Sequence, residues 1–187
     1  YDEGYLALKP GVEPGRVDWL IGVDWSRTRA FGMGINGLYV NTRGRWAEGI
    51  VAPGEEAQAL IDEMAGKLEA IRDPKDDSRV IVKAYKASDV YHGPYKESAP
   101  DIVVGYGRGY RGSDATAGGQ VPPELITDNL KKWSGDHCAD YHHVPGVLFT
   151  NRPIEHDMPS LYDMAPTILG EFGIEKRSWM VGRSVFE

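Results

Sequence analysis

The densest group of chemically capable side chains lies between residues 133 and 149, where the sequence reads WSGDHCADYHHVPGVLF. Three histidines, two aspartates and the only cysteine of the chain fall between Asp136 and His143. Imidazole, carboxylate and thiolate groups are zinc ligands, and a cysteine close to a histidine can also act as a nucleophile with its base. The segment therefore admits three interpretations: a metal site, a nucleophile with its base, or a polar loop that precedes a strand.

The spacing of these residues favours neither a catalytic cysteine nor a purely local zinc site. Cys138 is adjacent to His137, and adjacent side chains rarely face each other, so we expect an inert, buried cysteine. A local zinc site would join His142 and His143 to His137, with Asp140 and Cys138 as further possible ligands, and it would need three or four of them to converge. Their spacing matches no established zinc motif, so we expect an exposed polar loop at Asp140, His142 and His143. Three further residues are expected to be solvated surface side chains: Asp89, His92 and His156.

A second motif, GRGYRG at 107–112, fits the pattern G-x-G-x-x-G and follows a predicted strand. In a dinucleotide-binding fingerprint this pattern must open a helix, so that the pyrophosphate meets the helix N–H groups. Here the segment SDATAGGQVPP follows, and no helix is expected to start there. We therefore interpret 107–124 as a long flexible loop.

Composition excludes some classes of function. The 187 residues carry a formal net charge of −7, and no run of basic residues is longer than two, as at Lys131–Lys132, so no nucleic-acid groove is predicted. One cysteine permits no internal disulfide. No apolar run approaches the roughly 18 residues of a membrane span, and no signal peptide is visible, so no membrane segment is expected and the compartment stays open. The chain begins without methionine, which suggests that the natural N-terminus lies upstream.

The predicted elements indicate an α/β fold in which a central sheet is flanked by helices. Helices are predicted at 53–73, with an apolar stripe at the helical period, and at 160–173, where Ser160 and Asp163 form a capping-box pattern. We expect the second helix to become regular near Asp163, so that Pro166 falls in its first turn. The apolar stripe should be buried: Leu60, Ile61, Met64, Leu68 and Ile71. Strands are predicted at 79–87, 100–106 and 146–151, and a hairpin at 29–42 around Asn36-Gly37.

The order of motifs resembles a known family. A loop carrying Asp136-His137, then GVLF, then LYDMAPTIL is similar to the alkaline phosphatase superfamily, in its type I phosphodiesterase/nucleotide pyrophosphatase branch. The resemblance extends over essentially the whole chain and includes three more segments: VDWSRTRAFGMGINGLYVNTRGR (23–45), APDIVVGY (99–106) and MVGRSVF (180–186). It implies a layered sandwich, of which this chain would be the C-terminal portion.

The resemblance also implies chemistry. Members bind two metal ions, usually zinc, with Mn²⁺ as an alternative, and a Thr or Ser nucleophile attacks phosphorus between them. This chain has no Asp-x-x-x-His, no Asp-His-Gly and no matching nucleophile. Only the late His ligand can be carried over, to His137, with Asp136 holding the loop or orienting that histidine. A rival alignment, with cofactor-independent phosphoglycerate mutases, assigns Asp136 and His137 to one ion and His143 to the other; we prefer the first.

The resemblance gives the following expectations for function. Residues 1–187 would form a single lobe, with 30–110 contributing to an inserted cap-like segment. The N-terminal half of the same domain would supply the nucleophile and the other ligands, and the substrate would be a small-molecule phosphoester. No catalytic residue is assigned in this chain, which should be inactive alone. The competing hypothesis is a non-catalytic binding or structural domain on the same scaffold.

Overall fold

The computed structural model, which describes residues 1–133, 135 and 139–187, has a mixed α/β architecture. A four-stranded sheet has the order β1–β2–β4–β3, and every neighbouring pair is antiparallel. The strands are β1 (Ala30–Met33), β2 (Gly37–Val40), β3 (Ile81–Lys86) and β4 (Ile102–Tyr106). The helices are α1 (Glu55–Ala70), α2 (Ala87–Val90), α3 (Asp114–Ala117) and α4 (Leu161–Glu171). The prediction that helices and strands combine in one chain is confirmed.

The chain divides into two compact units, Tyr1–Pro145 and Gly146–Glu187. The first unit contains the sheet and helices α1 to α3, and the second contains α4. Among the described residues, none of the helices has the length and apolar character that crossing a bilayer requires. The single lobe over 1–187 and the inserted segment over 30–110 remain predictions.

The predicted hairpin is confirmed, but its turn lies earlier than expected. Met33 pairs with Gly37, so the connection consists of the three residues 34–36. Gly34 has a φ of 78°, in the left-handed region that glycine adopts without steric cost. Gly37 is instead the first residue of β2, where a side chain would crowd Pro100.

The sheet is covered on both faces because successive strand residues point in opposite directions. Ala30 and Val40 pack in a cluster with α1, whereas Phe31 and Tyr39 pack with the irregular N-terminal segment. On α1, Leu60 and Met64 are buried, and Ile61 and Leu68 are half-buried against the same cluster. Ile71, which directly follows the helix, is half-buried against the neighbouring cluster of β3 and β4. This stripe is therefore confirmed as the face that attaches α1 to the sheet.

Strand β4 is central in the sheet, as predicted, whereas β3, which was also expected to be central, lies at the edge of the sheet. Strand β4 pairs with β2 on one side and with β3 on the other, and Ile102 is fully buried. Its last residue, Tyr106, also forms an isolated parallel bridge with Ala139. The carboxyl end of β4 is therefore where the chemically dense segment meets the sheet.

In the second unit, helix α4 begins at Leu161 rather than near Asp163, so the expected start was wrong. Ser160 and Asp163 form both halves of a capping box, which fixes the N-terminus two residues earlier. Pro166 therefore lies inside the helix and cannot donate to the Tyr162 carbonyl. Gly182 approaches that same carbonyl so closely that a side chain at 182 would overlap it.

The strand predicted at 146–151 was wrong. No strand forms there, and the side chains of Val147 and Phe149 are 84% and 90% exposed. An extended apolar segment becomes a strand only when a neighbouring strand supplies hydrogen-bond partners. No backbone hydrogen bond within the described part of the chain supplies them at 146–151.

A second correction concerns the segment after GRGYRG, where no helix was expected. The four residues of α3 form one turn, and the Ser113 side chain caps it by accepting from the Ala115 N–H. A dinucleotide-binding fingerprint requires a longer helix directly after its glycines, and the single turn of α3 does not meet this requirement.

Candidate functional site

Residues 139–143, in the chemically dense segment, lie beside the carboxyl end of strand β4. The Asp140 N–H donates to the Tyr106 carbonyl at 2.9 Å. The next three residues, Tyr141–His143, form one 3₁₀ turn, and the Asp140 carboxylate caps it by accepting from the His142 backbone N–H at 3.0 Å. Aspartate suits this position because its side chain satisfies an N–H that the turn itself leaves unpaired. Two histidines are thereby placed just beyond the end of β4.

The Asp140 side chain is the buried centre of this region. It is 0% exposed, and it accepts hydrogen bonds from the Tyr85 hydroxyl at 2.7 Å and from Nδ1 of His142 at 2.9 Å. Tyr85 belongs to β3, so the carboxylate ties the turn to the sheet. Gly105 in β4 provides the space, since a Cβ at that position would overlap the carboxylate. We call Tyr85, Asp140 and His142 the Asp140 network.

Hydrogen bonding keeps the Asp140 carboxylate ionised. Burial alone would raise the pKa of Asp140, but the hydrogen bonds from Tyr85 and from the backbone and ring of His142 outweigh it and leave this pKa below the usual value. The pKa of Tyr85 is raised. Burial is the largest cause, and the hydrogen bond to the Asp140 carboxylate is the second. Tyr85 therefore remains a donor and Asp140 an acceptor.

These charges define the tautomer of His142. An ionised carboxylate only accepts hydrogen bonds, so the neutral imidazole carries its proton on Nδ1, facing Asp140, and its lone pair on Nε2. The side chain is 62% exposed, and its ring stacks on that of Tyr141 with centroids 4.0 Å apart. The network thus orients an imidazole whose Nε2 lone pair is directed away from the carboxylate.

The sequence-predicted ligands are only partly within the described residues. His137, Asp136 and Cys138 lie outside them, so the assignments of His137 and Asp136 stay predictions. His143, the alternative ligand, is the exposed last residue of the 3₁₀ turn. Within 1–133, 135 and 139–187, no three His, Cys, Asp or Glu side chains are grouped closely enough to hold a metal ion. A metal at this loop would need ligands from 136–138 or from another segment.

Trp133, which precedes the predicted ligand His137, is hydrogen-bonded to side chains elsewhere in the first unit. The Trp133 carbonyl accepts from Asn129 Nδ2 at 2.6 Å and from Arg111 Nη1 at 3.4 Å. Arg111 belongs to the GRGYRG segment and also pairs with Asp114. That segment therefore contributes to holding Trp133, which is a structural role that the glycine pattern did not suggest.

The expectation that Asp140 is an exposed loop residue was wrong. Its partner Tyr85 lies 55 positions away in the sequence, so local spacing could not reveal the contact. One signal was present, because an isolated glycine inside an apolar strand indicates the close approach of another group, and Gly105 is such a residue. His142, in contrast, is exposed as expected.

A second histidine–aspartate pair occurs in the other unit, and it corrects the expectation for His156. That side chain is only 14% exposed, with its Nε2 3.6 Å from Asp163 Oδ2. Its Nδ1 accepts from the Met158 N–H at 3.2 Å, so the ring proton of the neutral form lies on Nε2. Asp163 accepts from the Ser160 N–H at 2.8 Å and from the Arg183 N–H at 2.9 Å. These bonds lower the pKa of Asp163, the one from Arg183 most strongly.

Comparisons with protein-family models, with curated proteins and with solved structures gave no match to this chain.

Proposed function

We propose that this chain is the C-terminal portion of a metal-dependent phosphoester hydrolase of the phosphodiesterase/nucleotide pyrophosphatase type. Its sheet and helix α1 would form part of a larger, alkaline-phosphatase-like layered sandwich. His137 would supply one zinc ligand, and the N-terminal half of the domain would supply the nucleophile and the other ligands. The observation that carries this proposal is the attachment of the loop on both sides of His137, at Trp133 and at Ala139–Asp140.

Attachment of this kind is what a metal ligand on a loop requires. Binding groups have to be held within about 0.5 Å of their productive positions by their surroundings. On the C-terminal side, the chain is held by a backbone bond to Tyr106 and by the fully buried Asp140 carboxylate. A buried carboxylate is costly unless it is hydrogen-bonded, and here Tyr85 and His142 satisfy it.

The residues of this chain would have limited but specific roles. When bound, two zinc or manganese ions supply Lewis-acid activation of the nucleophile and charge stabilisation at the leaving oxygen. His137 would hold one ion through a ring nitrogen, and Asp136 would orient His137. In the rival assignment Asp136 binds an ion together with His137, and His143 binds the other. The substrate would be a small-molecule phosphoester.

The competing proposal is a non-catalytic binding or structural domain. Its support is that Asp-x-x-x-His and Asp-His-Gly are both missing from these 187 residues. The two proposals differ in what the complete gene product does, because only a hydrolase would have a nucleophile and the missing ligands upstream.

The test is turnover of bis(4-nitrophenyl) phosphate by the complete gene product with zinc, beside the 187-residue chain. We expect zinc-dependent hydrolysis by the complete protein and none by the chain alone. His137→Ala should abolish most of the activity, whereas His92→Ala, at an exposed position, should not change it. An inactive complete protein, or full activity after His137→Ala, would contradict the proposal.

A further inference from the structure

Helix α4 in the second unit has an inverted distribution of polar and apolar residues. The residues that it buries are Asp163, Pro166 and Thr167, whereas a typical surface helix turns its apolar side to the core and its polar side to water. The buried polar groups are satisfied, because Asp163 and Thr167 accept hydrogen bonds from the backbone N–H groups of Arg183 and Val185, each at 2.9 Å. The second unit therefore uses the polar side of the helix for its own packing.

The opposite side of α4 carries an apolar stripe that nothing in the described part of the chain buries. Its residues follow the spacing i, i+4, i+7 and i+11, which places them in one line along the helix and its last turn. We call this line the α4 stripe: Leu161, Ala165, Ile168 and Phe172. All four residues are exposed, with Leu161 at 89% and Phe172 at 76%. Single apolar side chains are normal on a surface, but a contiguous apolar patch marks an interaction site.

The absence of basic residues on α4 argues against a lipid surface as the occupant of this patch. Helices that lie in a membrane interface carry Lys and Arg on their polar side. Helix α4 contains neither residue, and its polar side is turned into the second unit. A protein surface of matching apolar character is the better occupant.

The size and symmetry of the patch favour a second copy of this chain. With the neighbouring Tyr162, which is 74% exposed, the large side chains of the stripe offer roughly 500–600 Å². Two copies would therefore bury roughly 1,000–1,200 Å², which is the lower end of the range for specific interfaces. A two-fold interface also requires a patch that complements itself.

We propose that the α4 stripe is the contact surface of a weak homodimer, in which it packs antiparallel on the same stripe of a second copy. A two-fold axis midway along the stripe places Leu161 level with Phe172 of the second copy, and Ala165 level with Ile168 of the second copy. The small side chain of Ala165 allows the helices to approach closely, and the larger side chains pack around it. The inference goes beyond the proposed function and does not depend on it.

The experiment is sedimentation equilibrium of the 187-residue chain over a range of concentrations. We expect a reversible monomer–dimer equilibrium with a Kd on the order of 10 μM, as for a small interface. Ile168→Lys should raise this Kd by at least roughly 100-fold, because two like charges would meet at the two-fold axis. The matched control is Ile21→Lys, at a position in the first unit that is 75% exposed, and it should leave the Kd unchanged.

A second variant, Phe172→Ser, tests the end of the stripe without adding a charge, and it should also weaken the dimer. Urea denaturation of each variant verifies that the fold is retained, which we expect because both side chains are exposed.

Four results would overturn the inference. The first is a chain that stays monomeric up to about 1 mM, and the second is a dimer that neither stripe variant weakens. The third is a monomeric chain that binds phosphatidylcholine vesicles through the stripe, which would assign the patch to a lipid surface. The fourth is a complete gene product that is monomeric where the 187-residue chain dimerises, which would show that another segment covers the stripe.

Discussion

The two units of the molecule each contain a histidine beside a buried aspartate, and the two pairs are built in opposite ways. In the first unit, Asp140 accepts from Nδ1 of His142, and the histidine side chain is 62% exposed. In the second, His156 is 14% exposed, and its Nδ1 accepts from a backbone N–H while Nε2 faces Asp163. The first arrangement leaves a nitrogen that can bind a ligand, and the second uses both nitrogens within the fold.

The difference shows that residue type does not define a site. Both aspartates have a lowered pKa, because both accept several hydrogen bonds. Asp163 accepts hydrogen bonds from the backbone N–H groups of Ser160 and Arg183, which connect the start of helix α4 to the C-terminal segment of the second unit. Asp140 accepts hydrogen bonds from Tyr85 in the sheet and from the exposed imidazole ring of His142. We therefore expect changes in the second pair to affect stability and changes in the first to affect binding.

The largest effect should come from Gly182→Ala. The new Cβ would overlap the backbone carbonyl of Tyr162, and backbone cannot move aside without disturbing the capping box of α4. We expect a loss of about 2–3 kcal/mol in the free energy of unfolding of the second unit, measured by urea denaturation. The matched change is Gly170→Ala in α4, where nothing lies within 4 Å and the helix should gain stability. Equal effects at the two positions would contradict this account.

Gly105→Ala should have the next largest effect, in the first unit. Its Cβ would overlap the Asp140 carboxylate and lie 3.0 Å from Tyr85 Cε2. Both neighbours are side chains that can rotate, so we expect about 1–2 kcal/mol of destabilisation together with loss of the Nδ1–H form of His142. Gly66→Ala, with open space around it in α1, is the control. A stable Gly105→Ala protein with an unchanged His142 tautomer would show that the close approach is not required.

A smaller effect is expected for Tyr85→Phe. The change removes one donor to Asp140 and leaves His142 as the other side-chain donor, which should cost about 1 kcal/mol of stability. The ring proton should stay on Nδ1, since Asp140 remains an acceptor. NMR of the ring nitrogens with urea denaturation measures both quantities, and a change of tautomer would mean that Tyr85 rather than Asp140 orients the histidine.

The smallest effect concerns pH and Asp163. Its pKa lies below the ordinary 3.8 in the folded chain, because the N–H groups of Arg183 and Ser160 favour the ionised form. The unfolded state therefore binds this proton more tightly, and the stabilisation is complete above the ordinary pKa and is lost as pH falls through the folded one. The stability difference between the unaltered chain and Asp163→Asn should be larger at pH 6 than at pH 3. A difference independent of pH would contradict this assignment.

Local features of the fold were predictable from the sequence, and contacts between distant segments were not. The capping box at Ser160 and the end of α4 both follow short-range rules. Gly173, with a φ of 66°, ends the helix while the Ile174 N–H bonds to the Leu169 carbonyl. The strand prediction at 146–151 was wrong because it relied on hydrophobicity alone. An apolar segment favours burial, but its sequence does not identify a neighbouring strand that could pair with it.

The candidate site was predictable only as a region. Residue types between 136 and 143 indicated metal chemistry, but the roles of Asp140 and His142 depend on a tyrosine 55 residues away. The protonated nitrogen of His156 likewise depends on the backbone of Met158. Such roles arise from three-dimensional packing. Of these roles, the sequence gave a signal only for that of Asp140, through Gly105 in β4.

The central claim, that the loop between Trp133 and His143 binds metal whereas the pair in the second unit does not, is tested most directly by zinc content. Zinc per molecule would be measured in the complete gene product for His137→Ala, His143→Ala and His156→Ala. We predict that His137→Ala loses zinc and that His156→Ala retains it. If only His143→Ala emptied a site, the assignment of His137 would be wrong; if both loop changes did, the mutase-like alignment would be better. Full zinc in all three variants would contradict the account.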